Sequence, residues 1–241
     1  MKEAFDTNWV VPMVPNVNAF EKDLEAFVNS KSDGREPLDR NVVCLSAGTA
    51  AVHLALIGCG VKAGDEVLVQ SFTFCASSHP ITYLGAHPVF VGSENETWNM
   101  DPVLLEKAII DRNEKTGRYP KAIMAIAEKY GIPVVEDAAE GMGSRFNGQV
   151  LGTFGKYGVL SFNGNKMITT SGGGALICRN ADDANEIMWY ATQARECVSL
   201  LSTYGYRLQL SYVECLCGYR SRPDDCAGFA YQASSACPEA L

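Results

Sequence analysis

At 241 residues and 47% hydrophobic content, the chain can bury one large core, or a little more than one domain. A formal net charge of −8 argues against nucleic acid or an anionic membrane surface as the main partner. No apolar run is long enough to span a bilayer, and Met1 to Asp6 lack the apolar stretch of a signal peptide, so the expected compartment is the cytosol.

Phe20, Leu24 and Phe27, with acidic residues between them, predict a helix over Asn16 to Ser30. Lys31 to Arg40 reads as a polar loop. Val42 to Leu45 is a short buried strand, and Ala50 to Ile57 an apolar helix entered through Ser46-Ala47-Gly48-Thr49. Glu66 to Gln70 and Pro88 to Val91 are strands, separated by a helix around Ser77 to Leu84. Pro102 to Arg112 and Lys121 to Tyr130 read as helical. Val134-Val135, Gly158 to Phe162 and Ala175 to Cys178 read as strands, and Ala181 to Ala194 as a helix. Strands alternating with helices predict an α/β fold, a mostly parallel sheet with helices on both faces.

Nine cysteines are present. Cys44, Cys59, Cys75 and Cys178 sit singly in apolar segments, the pattern of buried reduced thiols. The other five crowd the stretch from Cys197 onward. Cys215-Leu216-Cys217 is not a zinc-ligand spacing and no histidine follows Cys197, so no metal site is expected.

Two segments carry the chemistry. Val134-Val135-Glu136-Asp137 reads as a buried strand ending in a carboxylate, at the strand end where open α/β sheets bind ligands. Ser161-Phe162-Asn163-Gly164-Asn165-Lys166 reads as a strand end and a turn that presents one lysine. A carboxylate beneath a pyridine nitrogen and a lysine amine at an aldehyde are what pyridoxal phosphate chemistry requires of a protein. An anion beside the nitrogen favours its protonated form and keeps the ring an electron sink. Taken alone, Asp137 reads first as a cap of the following helix. Gly48-Thr49 opens a helix, where free N–H groups and the dipole favour a phosphate, and Ser161 could add a donor. An ordinary N-cap would look the same. Phe74 follows a strand and could stack on a ring, although core packing is the commoner fate.

Together these segments resemble the DegT/DnrJ/EryC1/StrS sugar aminotransferases, within fold type I of the pyridoxal phosphate enzymes. The resemblance runs from about Phe5 to Glu196. It is carried by Leu45 to Ala51, Gly64-Asp65-Glu66-Val67, Gln70 to Phe74, Glu136 to Glu140, and Leu160 to Lys166 with Thr169 to Gly174 after it. It implies that Lys166 forms the Schiff base and shuttles the proton, that Asp137 pairs with the ring nitrogen, and that Phe74 stacks on the ring. It implies that Thr49, Ala50 and Ser161 hold the phosphate, at the helix start that Gly48 opens. Glu140 stands where many members have Gln, the form that looks like the branch acting at C4 of nucleotide-linked 4-keto-6-deoxy sugars. Glutamate is the implied amino donor, and a homodimer the implied assembly. A sister branch that dehydrates deoxysugars has histidine in place of the lysine, and Lys166 argues against it.

Three departures from the family pattern give further expectations. The chain begins inside what should be the first helix. Between Ala122 and Ile123 the family has a core strand, a loop and the start of a helix, here fused out. Beyond about Glu196 the sequence departs from the family, yet a one-nucleotide shift in reading makes Arg207 to Asp225 family-like. Residues 1–196 are therefore expected to form the large cofactor-binding domain and 197–241 a frameshifted, irregular tail, with the small C-terminal domain missing. Such a chain is expected to be nearly inactive as written.

Overall fold

The computed structural model describes residues 6, 15–30, 37–122 and 128–192. The predicted tail from Cys197 lies outside them, as does the segment 123–127.

Helix α1 (Pro15–Val28) buries Val17, Phe20, Leu24 and Val28, a helical stripe on one face. Each such side chain contributes roughly 1.5–3 kcal/mol on leaving water. The stripe packs on a four-stranded sheet of order β1-β8-β7-β4, built from β1 (Asn41–Leu45), β8 (Gly174–Cys178), β7 (Tyr157–Ser161) and β4 (Val135–Asp137). Strand β8 runs antiparallel to both of its neighbours, while β4 and β7 are parallel. β1, β7 and β4 therefore share one direction, and β8 alone opposes them.

The period of two in these strands divides the core. Val42, Cys44, Leu160, Ala175 and Ile177 face α1. Val43, Leu45, Val159, Leu176 and Cys178 face the opposite way, against helix α2 (Gly48–Gly58) and helix α5 (Ala181–Ala191). Helices cover both faces, as the alternating pattern predicts.

Strand β1 is an edge strand, and α1 guards it. Glu25 accepts the Val42 N–H at 3.0 Å and Glu21 accepts the Cys44 N–H at 2.9 Å, two carboxylates one helical turn apart. Backbone donors that would otherwise invite another strand are thereby satisfied.

Strands β2 (Glu66–Gln70) and β3 (His87–Val91) form a separate parallel ladder. Short helix α3 (His79–Tyr83) connects them, and helix α4 (Pro102–Thr116) follows, capped by Asp101 and ended at Gly117 in the left-handed region. Leu68, Val91, Leu105 and Ile109 make a third cluster under α4.

Of the helix expected over Lys121 to Tyr130, residues 123–127 lie outside the described residues, and Lys121, Ala122 and Glu128 to Tyr130 are not α-helical. Ala122 pairs in parallel with Val67, on the edge of β2 away from β3. Lys121 N–H donates to Glu66 at 2.7 Å, and Leu68 N–H to Ala122 at 3.1 Å. A strand edge with free backbone groups outcompetes helix propensity here. Glu128–Tyr130 form one 3₁₀ turn. A hairpin that the sequence reading passed over, β5 (Arg145–Phe146) and β6 (Gln149–Val150), turns through Asn147 and Gly148, both at positive φ.

Of the four cysteines expected to be buried, Cys44, Cys59 and Cys178 are, but Cys75 is exposed, because it opens a 3₁₀ turn at the sheet's rim. Burial pushes the Cys59 thiol up to about 12 and Cys178 also upward, so both stay protonated and inert. No group of residues able to hold a metal ion occurs among the described residues. No described helix is long and apolar enough to cross a membrane.

Candidate active site

The strand ends deliver the predicted residues to one place, except Ala50, which does not line it. Asp137 closes β4 and Ser161 closes β7, parallel neighbours, and α2 begins just after β1. A cleft of 1390 Å³ opens there. Gly48, Thr49, Phe74, Asp137, Ser161 and Lys166 line it, as does Glu140.

The floor at one end is the N-terminus of α2. Its ladder begins with Ala51 N–H to Ala47 O at 3.1 Å, and the N-cap residue Ala47 offers no side-chain cap. The N–H groups of Gly48, Thr49 and Ala50 thus have no acceptor within the helix, and the dipole favours an anion. Ala50 contributes at most its backbone, since its side chain is buried in the core. Ser161 adjoins this terminus closely: a Cβ on Gly48 would come within 3.0 Å of Ser161 Cβ and 3.3 Å of its Oγ. On β8, a Cβ at Gly174 would lie 2.5 Å from both Ala47 C and Gly48 N. The helix can therefore start on the sheet only because position 174 has no side chain.

Lys166 comes from the loop after β7. The loop is pinned by Lys166 N–H to Asn163 O at 3.0 Å and Thr170 N–H to Phe162 O at 3.0 Å. Buried Thr170 also donates its hydroxyl to Gly172 O at 2.5 Å. The Lys166 side chain is only 13% exposed, and its ammonium donates to Glu140, forming an ion pair.

Asp137 is held from two sides. Its Oδ1 accepts the Ala139 N–H at 3.3 Å, and its Oδ2 accepts the Ser77 hydroxyl at 2.5 Å. Ser77 lies 60 positions away and escaped the sequence reading; no motif or spacing signals it. Glu136, one residue earlier, turns its carboxylate to the backbone N–H groups of Gly152, at 2.9 Å, and Gly155. Phe74 lines the cleft at 73% exposure, so it is not a core residue.

The arrangement joins an anion cradle, a fixed carboxylate and a shielded amine. A family model described as the DegT/DnrJ/EryC1/StrS aminotransferase family matches residues 1–227. The chain belongs to the DegT/DnrJ/EryC1/StrS aminotransferase family. The EpsN protein of Bacillus subtilis (strain 168) is 43% identical over 81% of this chain and 52% of its own length. A GDP-perosamine synthase from Caulobacter vibrioides is 35% identical over 75% of the chain and 48% of its own length. The fold matches a DegT DnrJ EryC1 StrS aminotransferase from Brucella abortus with a TM-score of 0.80 at 24% identity, over 90% of this chain and 59% of that one. The chain spans about half the length of the curated relatives it matches. The family match continues past Glu196, where the resemblance read from motifs stops.

Proposed function

We propose that this chain is the pyridoxal phosphate-binding domain of an aminotransferase that acts on nucleotide-linked 4-keto-6-deoxy sugars. The observation that carries the proposal is the convergence of Lys166, Asp137 and the α2 N-terminus with Ser161 on one cleft. The residues fit the cofactor at each end. The N–H groups of Gly48, Thr49 and Ala50 with the Ser161 hydroxyl suit a phosphate. Asp137 supplies the anion a pyridinium requires, and Lys166 the amine for an aldehyde. When bound, the cofactor supplies an electron sink for the carbon from which a proton is taken.

The protein's part follows from its own atoms. Asp137 holds a proton on the ring nitrogen by charge and hydrogen bonding. The Lys166 amine lies against the same cleft and can accept and return a proton at Nζ once its contact with Glu140 opens. Phe74 offers a face for a ring to rest on. Support for the substrate class comes from the GDP-perosamine synthase relative, whose name specifies a nucleotide-linked amino sugar. Glutamate as donor, a homodimer, and a cytosolic place in polysaccharide or glycan precursor synthesis complete the reading. The large domain is proposed as residues 1–196, lacking one strand of the family sheet beside β2, where Ala122 pairs with Val67.

A second reading, a domain that holds cofactor without turnover, is favoured by the exposure of Phe74 and of Glu140, whose side chain is 72% exposed. The deciding experiment is to mix the chain with pyridoxal phosphate, reduce with borohydride and locate the modified residue by mass spectrometry. Modification of Lys166 supports the site. A different lysine, or none, would refute it.

A further inference from the structure

Resting on the assignment of Asp137 to the ring nitrogen, we propose that Ser77 is the positioning residue that fixes the Asp137 carboxylate, and that Thr73 fixes Ser77. Ser77 is 5% exposed, lies behind the cleft wall, and has its hydroxyl 2.5 Å from Asp137 Oδ2. A hydroxyl has one proton, so having donated to the carboxylate it must accept from its other neighbour. That neighbour is Thr73 Oγ1, at 2.9 Å, on the rim of the cleft. The result is a directed chain, Thr73 to Ser77 to Asp137, in which each bond polarises the next.

The chain matters because β4 is short and Asp137 is its last residue. A carboxylate at a strand end has free torsions, and the Ala139 N–H holds only one of its oxygens, at 3.3 Å. The second anchor selects the rotamer. Ser77 is itself held by its N–H to Phe74 O at 3.0 Å, through the 3₁₀ turn Cys75–Ser77. One turn therefore places both the exposed Phe74 ring and the Asp137 carboxylate, so the two groups expected to touch the cofactor ring are set by a single piece of backbone.

The test uses the full chain loaded with pyridoxal phosphate labelled with ¹⁵N in the ring. The nitrogen signal reports how far the ring is protonated, and Asp137→Asn defines the signal without the carboxylate. Ser77→Ala should lower the protonated-to-unprotonated ratio about tenfold, the scale of one charge-assisted hydrogen bond. Ser77→Thr, which keeps the hydroxyl, should restore it. Exposed Thr73→Val should shift the signal in the same direction but less, and it guards against a Ser77→Ala variant that fails to fold. A nitrogen signal unmoved in folded Ser77→Ala and Thr73→Val, with cofactor still on Lys166, would overturn this role and leave the site reading standing. Absence of any cofactor on Lys166 in the unaltered chain would overturn the site reading, and the Ser77 role with it.

Discussion

The Lys166 ammonium is ion-paired with the Glu140 carboxylate, from segments 26 positions apart in the chain. The two ends of the pair differ in environment: the lysine side chain is 13% exposed and the glutamate 72%. Such a pair, open to water on one side, is worth only about 0–1 kcal/mol. Glu140 therefore tethers the amine without locking it. Glu140→Gln should leave cofactor capture within about fivefold of the unaltered chain. Lys166→Ala should remove the borohydride-fixed adduct altogether, as read by absorbance and intact mass.

The close approach of α2 to β8 gives a second expectation. A methyl at position 174 would sit 2.5 Å from backbone atoms of Ala47 and Gly48, which cannot swing aside as a side chain could. Gly174→Ala should cost about 1–3 kcal/mol in urea unfolding, the range for overpacking a tight interior. Because the displaced atoms carry the anion-binding N–H groups, affinity for pyridoxal phosphate should fall by at least about tenfold. Unchanged affinity would show that the phosphate sits elsewhere.

The sequence reveals the frame of this site better than its fastenings. Strand β2 occupies the predicted bounds Glu66–Gln70, and β7 and β8 fall within one residue of theirs, because short continuous apolar runs bounded by turn residues have few other solutions. That Asp137 and Lys166 line one cleft follows from their places at a strand end and in the turn after a strand. The hairpin at Arg145–Val150 is absent from the sequence expectations although Asn147-Gly148 is the dipeptide that two-residue turns prefer, because strands of only two residues leave no periodic signal. Lys121 and Ala122 misled because pairing with β2 is decided by a distant strand, not by local spacing. Ser77 could not be read at all: a hydrogen bond across 60 positions depends on tertiary placement alone.

Glu21 gives a pH prediction with a definite sign. Burial raises its carboxyl above the ordinary 4.5, the Cys44 N–H pulls it back, and Glu25 raises it further. With the folded value above the unfolded one, the fold favours the protonated form. That stability is fully present below about 4.5 and is lost as pH rises through the folded value. Glu21→Gln keeps an oxygen for the Cys44 N–H and cannot ionise. Its urea midpoint should be flatter than that of the unaltered chain from pH 4.5 upward, and higher at pH 7. Glu21→Ala removes the acceptor and should cost about 1 kcal/mol.

The exposure of the cleft sets the last expectation, which concerns turnover. Preorganised charges accelerate a reaction most where water is excluded, because screening is then weakest. Phe74 is 73% exposed, the Glu140 side chain 72%, and the cleft is an open 1390 Å³. On the proposed reading Asp137 and Lys166 hold the cofactor, and the side of the cleft carrying Phe74 and Glu140 stays in contact with water although Lys166 itself is shielded. Amino transfer from glutamate to a nucleotide-linked 4-keto-6-deoxy sugar should run at least about 100-fold below the ~1 s⁻¹ at the lower end of ordinary enzyme rates. The measurement is sugar amination per mole of cofactor fixed on Lys166, so that poor loading is not mistaken for slow chemistry. Turnover near 1 s⁻¹ would mean that other parts of the protein close the cleft in solution, and that the chain works as a complete aminotransferase.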